Sequence, residues 1–199
     1  MDPTETYTVP TWNETYQMML KLAEKILDTG FKPDVIVGVA RGGLIPARIL
    51  SDLLEQPNLA TVRTECYVGT HNAKPAPLLS QPISECVEAK KVLIVDDIAD
   101  TGRSLKLAKE HILKGGAREV RVATLFRKPW SVVKPEYCRA ETSLWVVFPW
   151  DIKETVRGAF ENRGDTSISD LFEKLKAAGL PKQLVDRFLK EIAGENSQC

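Results

Sequence analysis

The spacing of apolar positions changes several times along this chain, and each change marks an element. Trp12, Tyr16, Met19, Leu20, Ala23, Ile26 and Leu27 recur at helical spacing, with Thr11 placed to cap the start and Gly30 beyond the end. "DVIVGVA" is a continuous, largely β-branched run, the pattern of a strand buried on both faces. "RGGL" interrupts it, and "IPARILSDLLEQ" predicts a helix with Pro46 near its first turn. Residues 61–68 read as a strand, whereas "GTHNAKPAPLLSQPI" holds three prolines and no period, which predicts a mobile loop. "KVLIV" is a second buried strand, and "SLKLAKEHILKGG" is a helix ended by glycines. "EVRVATLF" and "SLWVVF" predict a third and a fourth strand.

Strands alternating with helices predict an α/β fold, a mostly parallel twisted sheet flanked by helices. After "PWD" the character changes. From about Asn162 the chain is polar with two short helical patterns, "SDLFEKLKAAGL" with Ser169 as its cap and "PKQLVDRFLKEIAG" opening on a proline. The expected organisation is one domain over residues 1–160 and a small C-terminal helical appendage over 161–199.

Charge narrows the partners. Lys+Arg and Asp+Glu number 27 each, and this balance argues against a nucleic-acid partner. No apolar run approaches the roughly 20 residues of a membrane span, so no membrane partner is expected. "MDPTETYTVP" has no basic region followed by an apolar stretch, which predicts a cytoplasmic protein without a signal peptide. Cys66, Cys86, Cys138 and Cys199 form no CxxC pair, and His71 and His111 are isolated, a pattern of reduced thiols rather than a zinc site or disulfide framework.

Candidate chemistry gathers in "VLIVDDIADTGRSL", residues 92–105. An apolar strand ends in Asp96 and Asp97; Asp100 follows, then a turn containing Thr101, Gly102, Arg103 and Ser104 that enters a helix. Ligands of open parallel sheets bind beyond the carboxyl ends of the strands. A helix N-terminus there offers N–H groups to a phosphate, with hydroxyls adding donors. Acids and phosphate donors on one loop are reconciled by a phosphorylated sugar, whose hydroxyls donate to the carboxylates, or by magnesium. Taken singly, an Asp pair reads rather as turn caps, and Asp100 as a helix N-cap.

The full string resembles the phosphoribosyl-pyrophosphate (PRPP) motif of the type I phosphoribosyltransferases, in particular their 6-oxopurine branch of archaeal purine and bacterial xanthine–guanine enzymes. Four motifs occur in the family's order between about Thr8 and Gly158. The resemblance implies that Asp96 and Asp97 hold the ribose hydroxyls, near or through Mg2+, and that the segment Ala99, Asp100, Thr101, Gly102, Arg103 and Ser104 encloses the 5′-phosphate. At the place of Asp100, 6-oxopurine members carry an acid that faces purine N7, where adenine members usually have Ala and orotate members Thr. "ARGGLIP" matches the pyrophosphate loop, which implies pyrophosphate contacts for Arg41, Gly42 and Gly43; on its own it also reads as a simple strand-to-helix turn. "LFRKPW" places Lys128 where oxopurine members donate to O6, with Arg127 a weaker candidate; alone, Lys128 reads as a solvated lysine. "LWVVFPWD" implies Trp145 stacking on the base, Val146 offering backbone contacts, and Asp151 near the ring or metal, although a strand Trp is more often core and Trp150 a packing anchor. "ECYVGTHNAKPAP" stands where the family has its closing loop, with Cys66-Tyr67 in place of the usual Ser-Tyr pair and Arg63 and Lys74 as pyrophosphate contacts.

The implied activity is purine salvage. A 6-oxopurine (hypoxanthine, guanine or xanthine) would take the phosphoribosyl group of PRPP to give the purine 5′-monophosphate and pyrophosphate, with Mg2+ as cofactor and a homodimer or homotetramer as the assembly. The alternatives are the same chemistry on adenine or a pyrimidine, and a non-catalytic sensor of PRPP or nucleotides on the same fold.

Overall fold

The computed structural model describes residues 7–67 and 76–196. They form two compact units, residues 16–143 and residues 7–15 with 144–196.

The larger unit is a six-stranded sheet. Its strands are β2 (Val35–Ala40), β3 (Leu59–Tyr67), β4 (Ala76–Gln81), β5 (Lys91–Ala99), β6 (Glu119–Arg127) and β7 (Tyr137–Glu141), in spatial order β4-β3-β2-β5-β6-β7. Every pairing is parallel except β3 with β4. The continuous apolar runs are explained by cover on both faces. Val35, Val37, Val39, Val92 and Ile94 pack with Leu105, Ala108 and Ile112 of helix α3 (Arg103–Lys114). The intervening residues Ile36, Leu93 and Val95 are equally buried, on the side where Gly38 meets Ala47 of helix α2 (Leu44–Leu53).

Helix α1 (Trp12–Asp28) starts with a reciprocal cap, in which the Thr11 N–H donates to the Glu14 carboxylate and the Glu14 N–H to Thr11 Oγ1. "GTHNAKPAPLLSQPI" is corrected in part: residues 76–81 are the edge strand β4, and 68–75 lie outside the described residues. An antiparallel edge strand needs only one row of hydrogen bonds and tolerates Pro77, so neither period nor proline content revealed it. Strand β7, "YCRAE", was also missed, because only Tyr137 in it is buried.

Just before the β6–β7 ladder begins at Ala123, the Val122 N–H donates to Glu136 Oε2 at 2.7 Å, while Lys109 Nζ lies 2.8 Å from Oε1. Burial pushes the Glu136 carboxyl up, but these donors outweigh it and hold the carboxyl below the ordinary glutamate value. The stability it contributes is therefore full at neutral pH and is lost as the pH falls through that lowered value. In urea denaturation, the gap between wild type and Glu136→Gln is expected to shrink from pH 7 to about pH 3.

In the smaller unit β1 (Tyr7–Thr8) pairs in parallel with β8 (Trp145–Val146). "SLWVVF" is thus corrected: it yields a two-residue strand outside the six-stranded sheet. Its apolar character serves another core, where Val147 packs among helices α4 (Ile152–Glu161), α5 (Ile168–Ala177) and α6 (Lys182–Asn196). Helix α4, not anticipated from the sequence, buries Ile152, Val156 and Phe160 at four-residue spacing. The cap of α5 is Ser167 rather than Ser169; its hydroxyl accepts from the Asp170 N–H. Trp150 stacks on Phe148 at 4.8 Å and tilts against Trp12 at 5.6 Å, as a packing anchor does. Among the described residues no helix is long and apolar enough to cross a membrane.

Candidate active site in the fork of the sheet

The chain runs outward from β2 in both directions, to β3 and β4 on one side and to β5, β6 and β7 on the other. Such a reversal is where an open α/β sheet forms its crevice. The register shows how. The β2–β5 ladder stops at Gly38↔Val95, yet β2 stays paired with β3 to Ala40↔Arg63 and β5 with β6 to Ala99↔Arg127. The two central strands part, and a cavity of about 250 Å³ lies beyond the fork.

One wall carries Arg41 and Gly42, after a cis Ala40–Arg41 peptide. The other carries Asp96, Asp97, Asp100, Thr101, Gly102 and Ser104, and Thr64 of β3 joins them. Eight residues singled out in the sequence thus line one cavity. Thr64 was missed, since nothing in "ATVRTECY" separates it from its neighbours.

The walls touch. A Cβ on Gly42 would overlap the Asp97 carboxylate. Gly43 sits behind the cavity at the fork itself, where a Cβ would overlap Val95 O and come within 2.8 Å of Val39 O. Its φ of −68° is ordinary, so space rather than conformation requires glycine there. Gly102 is required on both counts: φ is +74°, and a Cβ would meet Ser131 Oγ at 2.5 Å and Val133 N at 2.7 Å.

Asp96 and Asp97 end a buried strand, and Asp97 is only 7% exposed. Burial, and then the charge of Asp97, push the Asp96 carboxyl well above the usual carboxylate range, against donation from the N–H groups of Asp97 and Gly43. Two acids so placed favour a ligand that brings hydroxyl donors or a cation. They are hard oxygen donors, suited to Mg2+, and among the described residues no third His, Cys, Asp or Glu joins them in a cluster. That set fits an ion completed by water and phosphate oxygens rather than one caged by protein.

Asp100 does not cap α3; Gly102 holds the cap position, and Asp100 Oδ1 instead accepts from Trp130 Nε1 at 3.1 Å. Lys128 is not the solvated lysine of an isolated reading, being 3% exposed. Burial pushes its ammonium pKa down and the Asp100 carboxylate acts against this, so the two groups are electrostatic neighbours. Trp130, which carries no signal in the sequence, meets both, with Lys128 Nζ 5.5 Å from its ring centroid.

Ala99 is buried under the loop, and Arg103 is exposed at the first position of α3. Arg127 pairs with Glu141, and Arg63 with Glu65 at 2.9 Å. Lys74 lies outside the described residues, as do the side chains of Cys66 and Tyr67. Trp145, Val146 and Asp151 belong to the smaller unit. There Trp145 is 57% exposed, not core, Val146 is buried against β1, and Asp151 precedes α4 without a side-chain cap bond. His111 accepts from the Ile83 N–H at 3.2 Å, a structural role, and Cys86 and Cys138 are free thiols.

Comparison with known proteins agrees with this geometry. Xanthine-guanine phosphoribosyltransferase of Cereibacter sphaeroides is 28% identical over 149 residues, covering 71% of this chain and 84% of that protein. The purine phosphoribosyltransferase of Pyrococcus horikoshii is 40% identical with a TM-score of 0.67, covering 75% of this chain and 94% of that one. A hypothetical protein of Neisseria gonorrhoeae with bound ppGpp is 25% identical with a TM-score of 0.67, covering 88% of this chain and 97% of that one. The family model described as the phosphoribosyl transferase domain matches residues 9–156, which take in both walls of the fork and the whole acid loop, and this chain belongs to that family.

Proposed function

We propose that this phosphoribosyltransferase transfers the 5-phosphoribosyl group of PRPP to N9 of a 6-oxopurine, giving the purine 5′-monophosphate and pyrophosphate. The observation that carries the reading is the adjacency of Asp100 and the buried Lys128 beside the glycine-turned loop that opens α3. An ammonium can donate to a 6-oxo group but not to the 6-amino group of adenine. The xanthine-guanine and purine enzymes among the relatives support the same base class.

N9 bonds to C1 of the sugar as the bond from C1 to pyrophosphate breaks, and Asp100 takes the proton from N7. Lys128 holds O6 and so fixes the base. Asp96 and Asp97 accept from the ribose hydroxyls and favour positive charge developing on the sugar. The N–H groups from Asp100 to Ser104, with the hydroxyls of Thr101 and Ser104, hold the 5′-phosphate. Arg41 and the backbone at Gly42 hold the pyrophosphate. Mg2+, when bound by Asp96 and Asp97, supplies charge that neutralises the leaving pyrophosphate. For Trp145, Val146 and Asp151, for a dimer or tetramer, and for a cytoplasmic location, the support is the family resemblance and the sequence alone.

The test is pyrophosphate release from PRPP and Mg2+ with hypoxanthine, guanine, xanthine, adenine and orotate supplied separately. Release is expected with the oxopurines alone, and Lys128→Ala is expected to lower their kcat/KM by roughly tenfold to a hundredfold. Release with adenine or orotate would overturn the base assignment. A second reading, a nucleotide sensor without catalysis, is favoured by the ppGpp bound in the Neisseria protein. Nucleotide binding without release for any base would select it.

A further inference from the structure

The segment that follows β6 lies along the acid loop. The Lys128 N–H donates to Ala99 O and the Val132 N–H to Thr101 O, both at 3.0 Å. The Ser131 N–H closes the turn on Lys128 O at 3.1 Å. Gly102 can carry no Cβ because Ser131 Oγ and Val133 N already occupy the space. The backbone of this turn therefore fixes the loop without any help from the Trp130 side chain.

Trp130 then needs its own explanation. It is 55% exposed, so core packing does not account for a residue of this size. Its polar edge is nonetheless turned to the protein, with Nε1–H on Asp100 Oδ1 at 3.1 Å, while Lys128 Nζ stands 5.5 Å from its ring centroid. One side chain thus contacts both groups assigned to the base.

We propose that Trp130 is a positioning residue for Asp100 and Lys128. The inference rests on the reading of Asp100 as the group at purine N7. An aspartate carboxylate turns freely about its last torsion. Holding Oδ1 on the indole N–H leaves Oδ2 as the oxygen presented to the base, in one orientation. The π face restrains the ammonium that the same base must meet. The two contributions are separable: Trp130→Phe removes the N–H and keeps a face, and Trp130→His keeps a ring N–H.

The experiment is steady-state kinetics with PRPP and an accepted oxopurine for wild type, Trp130→Phe, Trp130→His, Asp100→Ala and the double variant Asp100→Ala/Trp130→Phe. Trp130→Phe is expected to lower kcat by roughly tenfold to a hundredfold, the scale of one hydrogen bond to a charged group, with the KM for PRPP within about twofold. Trp130→His is expected to recover part of the loss. In the Asp100→Ala background the Phe substitution is expected to cost nothing further, because its partner has gone. An equal loss in both backgrounds, or a raised PRPP KM with kcat unchanged, would make Trp130 only a cover for the loop and overturn the proposal. If Asp100→Ala is impaired and Trp130→Phe is not, the proposal alone is wrong. If Asp100→Ala turns over at the wild-type rate, the reading of the base site fails and the proposal falls with it.

Discussion

Replacing Asp100 by alanine is expected to lower oxopurine turnover by about 10²–10⁴-fold, the usual contribution of a positioned acid or base. Three losses coincide in that one change. On the proposed mechanism the proton at N7 has no acceptor, Trp130 Nε1 loses its partner, and Lys128 loses the carboxylate that opposes the effect of burial. The last has a sign that can be checked. Burial already lowers the Lys128 pKa and Asp100 raises it, so removing Asp100 lowers it further. The residual activity of Asp100→Ala should accordingly fall away on the alkaline side at a lower pH than wild type. The KM for PRPP should barely move, because the turn proposed to hold the phosphate is fixed by backbone bonds from Lys128 and Val132. A loss of less than about threefold in kcat would mean that Asp100 does not serve the base.

Gly43→Ala is expected to be strongly destabilising. A Cβ there would overlap Val95 O and sit 2.8 and 2.9 Å from Val39 O and N, all backbone atoms of the two strands that part at the fork. Neither strand can yield without disturbing its other ladder. Overpacking of this kind costs about 1–3 kcal/mol, which corresponds to a Tm lower by roughly 2–12 °C. Gly42→Ala makes the informative contrast. Its added methyl would overlap the Asp97 carboxylate, the far end of a side chain that can rotate away. Stability should change little while turnover falls, because the displaced acid is one that the proposed mechanism assigns to the sugar. Thermal denaturation and pyrophosphate release on both variants separate the two outcomes. An unchanged Tm in Gly43→Ala would show that the fork relaxes more freely than its geometry implies.

These residues also show how much could be read in advance. Asp96, Asp97 and the Asp100–Ser104 turn were legible because a strand buried on both faces leaves an unbroken apolar run, against which the acids at its end, followed by a Thr-Gly turn, stand out. Arg41 to Gly43 were legible as a turn, but not the reason for each glycine. One faces a carboxylate 55 positions later in the chain and the other lies between two strands, and neither neighbour is written locally. Strands β4 and β7 were invisible because edge strands are half-solvated and carry mixed side chains. "SLWVVF" misled for the opposite reason, since an apolar run records burial and not which core receives it. The link from Trp130 to Asp100 spans 30 residues and is a matter of tertiary placement alone.

The parting of β2 and β5 after Gly38 and Val95 bears on how such a protein can change over generations. Within a ladder, one inserted residue turns every later side chain to the other face, so a paired strand resists piecemeal alteration. Past the ends of both strands, after Ala40 and Ala99, that constraint has lapsed. Arg41 and Asp100 stand past it, and each can be exchanged without re-registering the pairing of the two central strands. What the sheet inherits as a scaffold and what the proposed function assigns to the choice of reactant are thus recorded in different residues, divided at the ends of the strands.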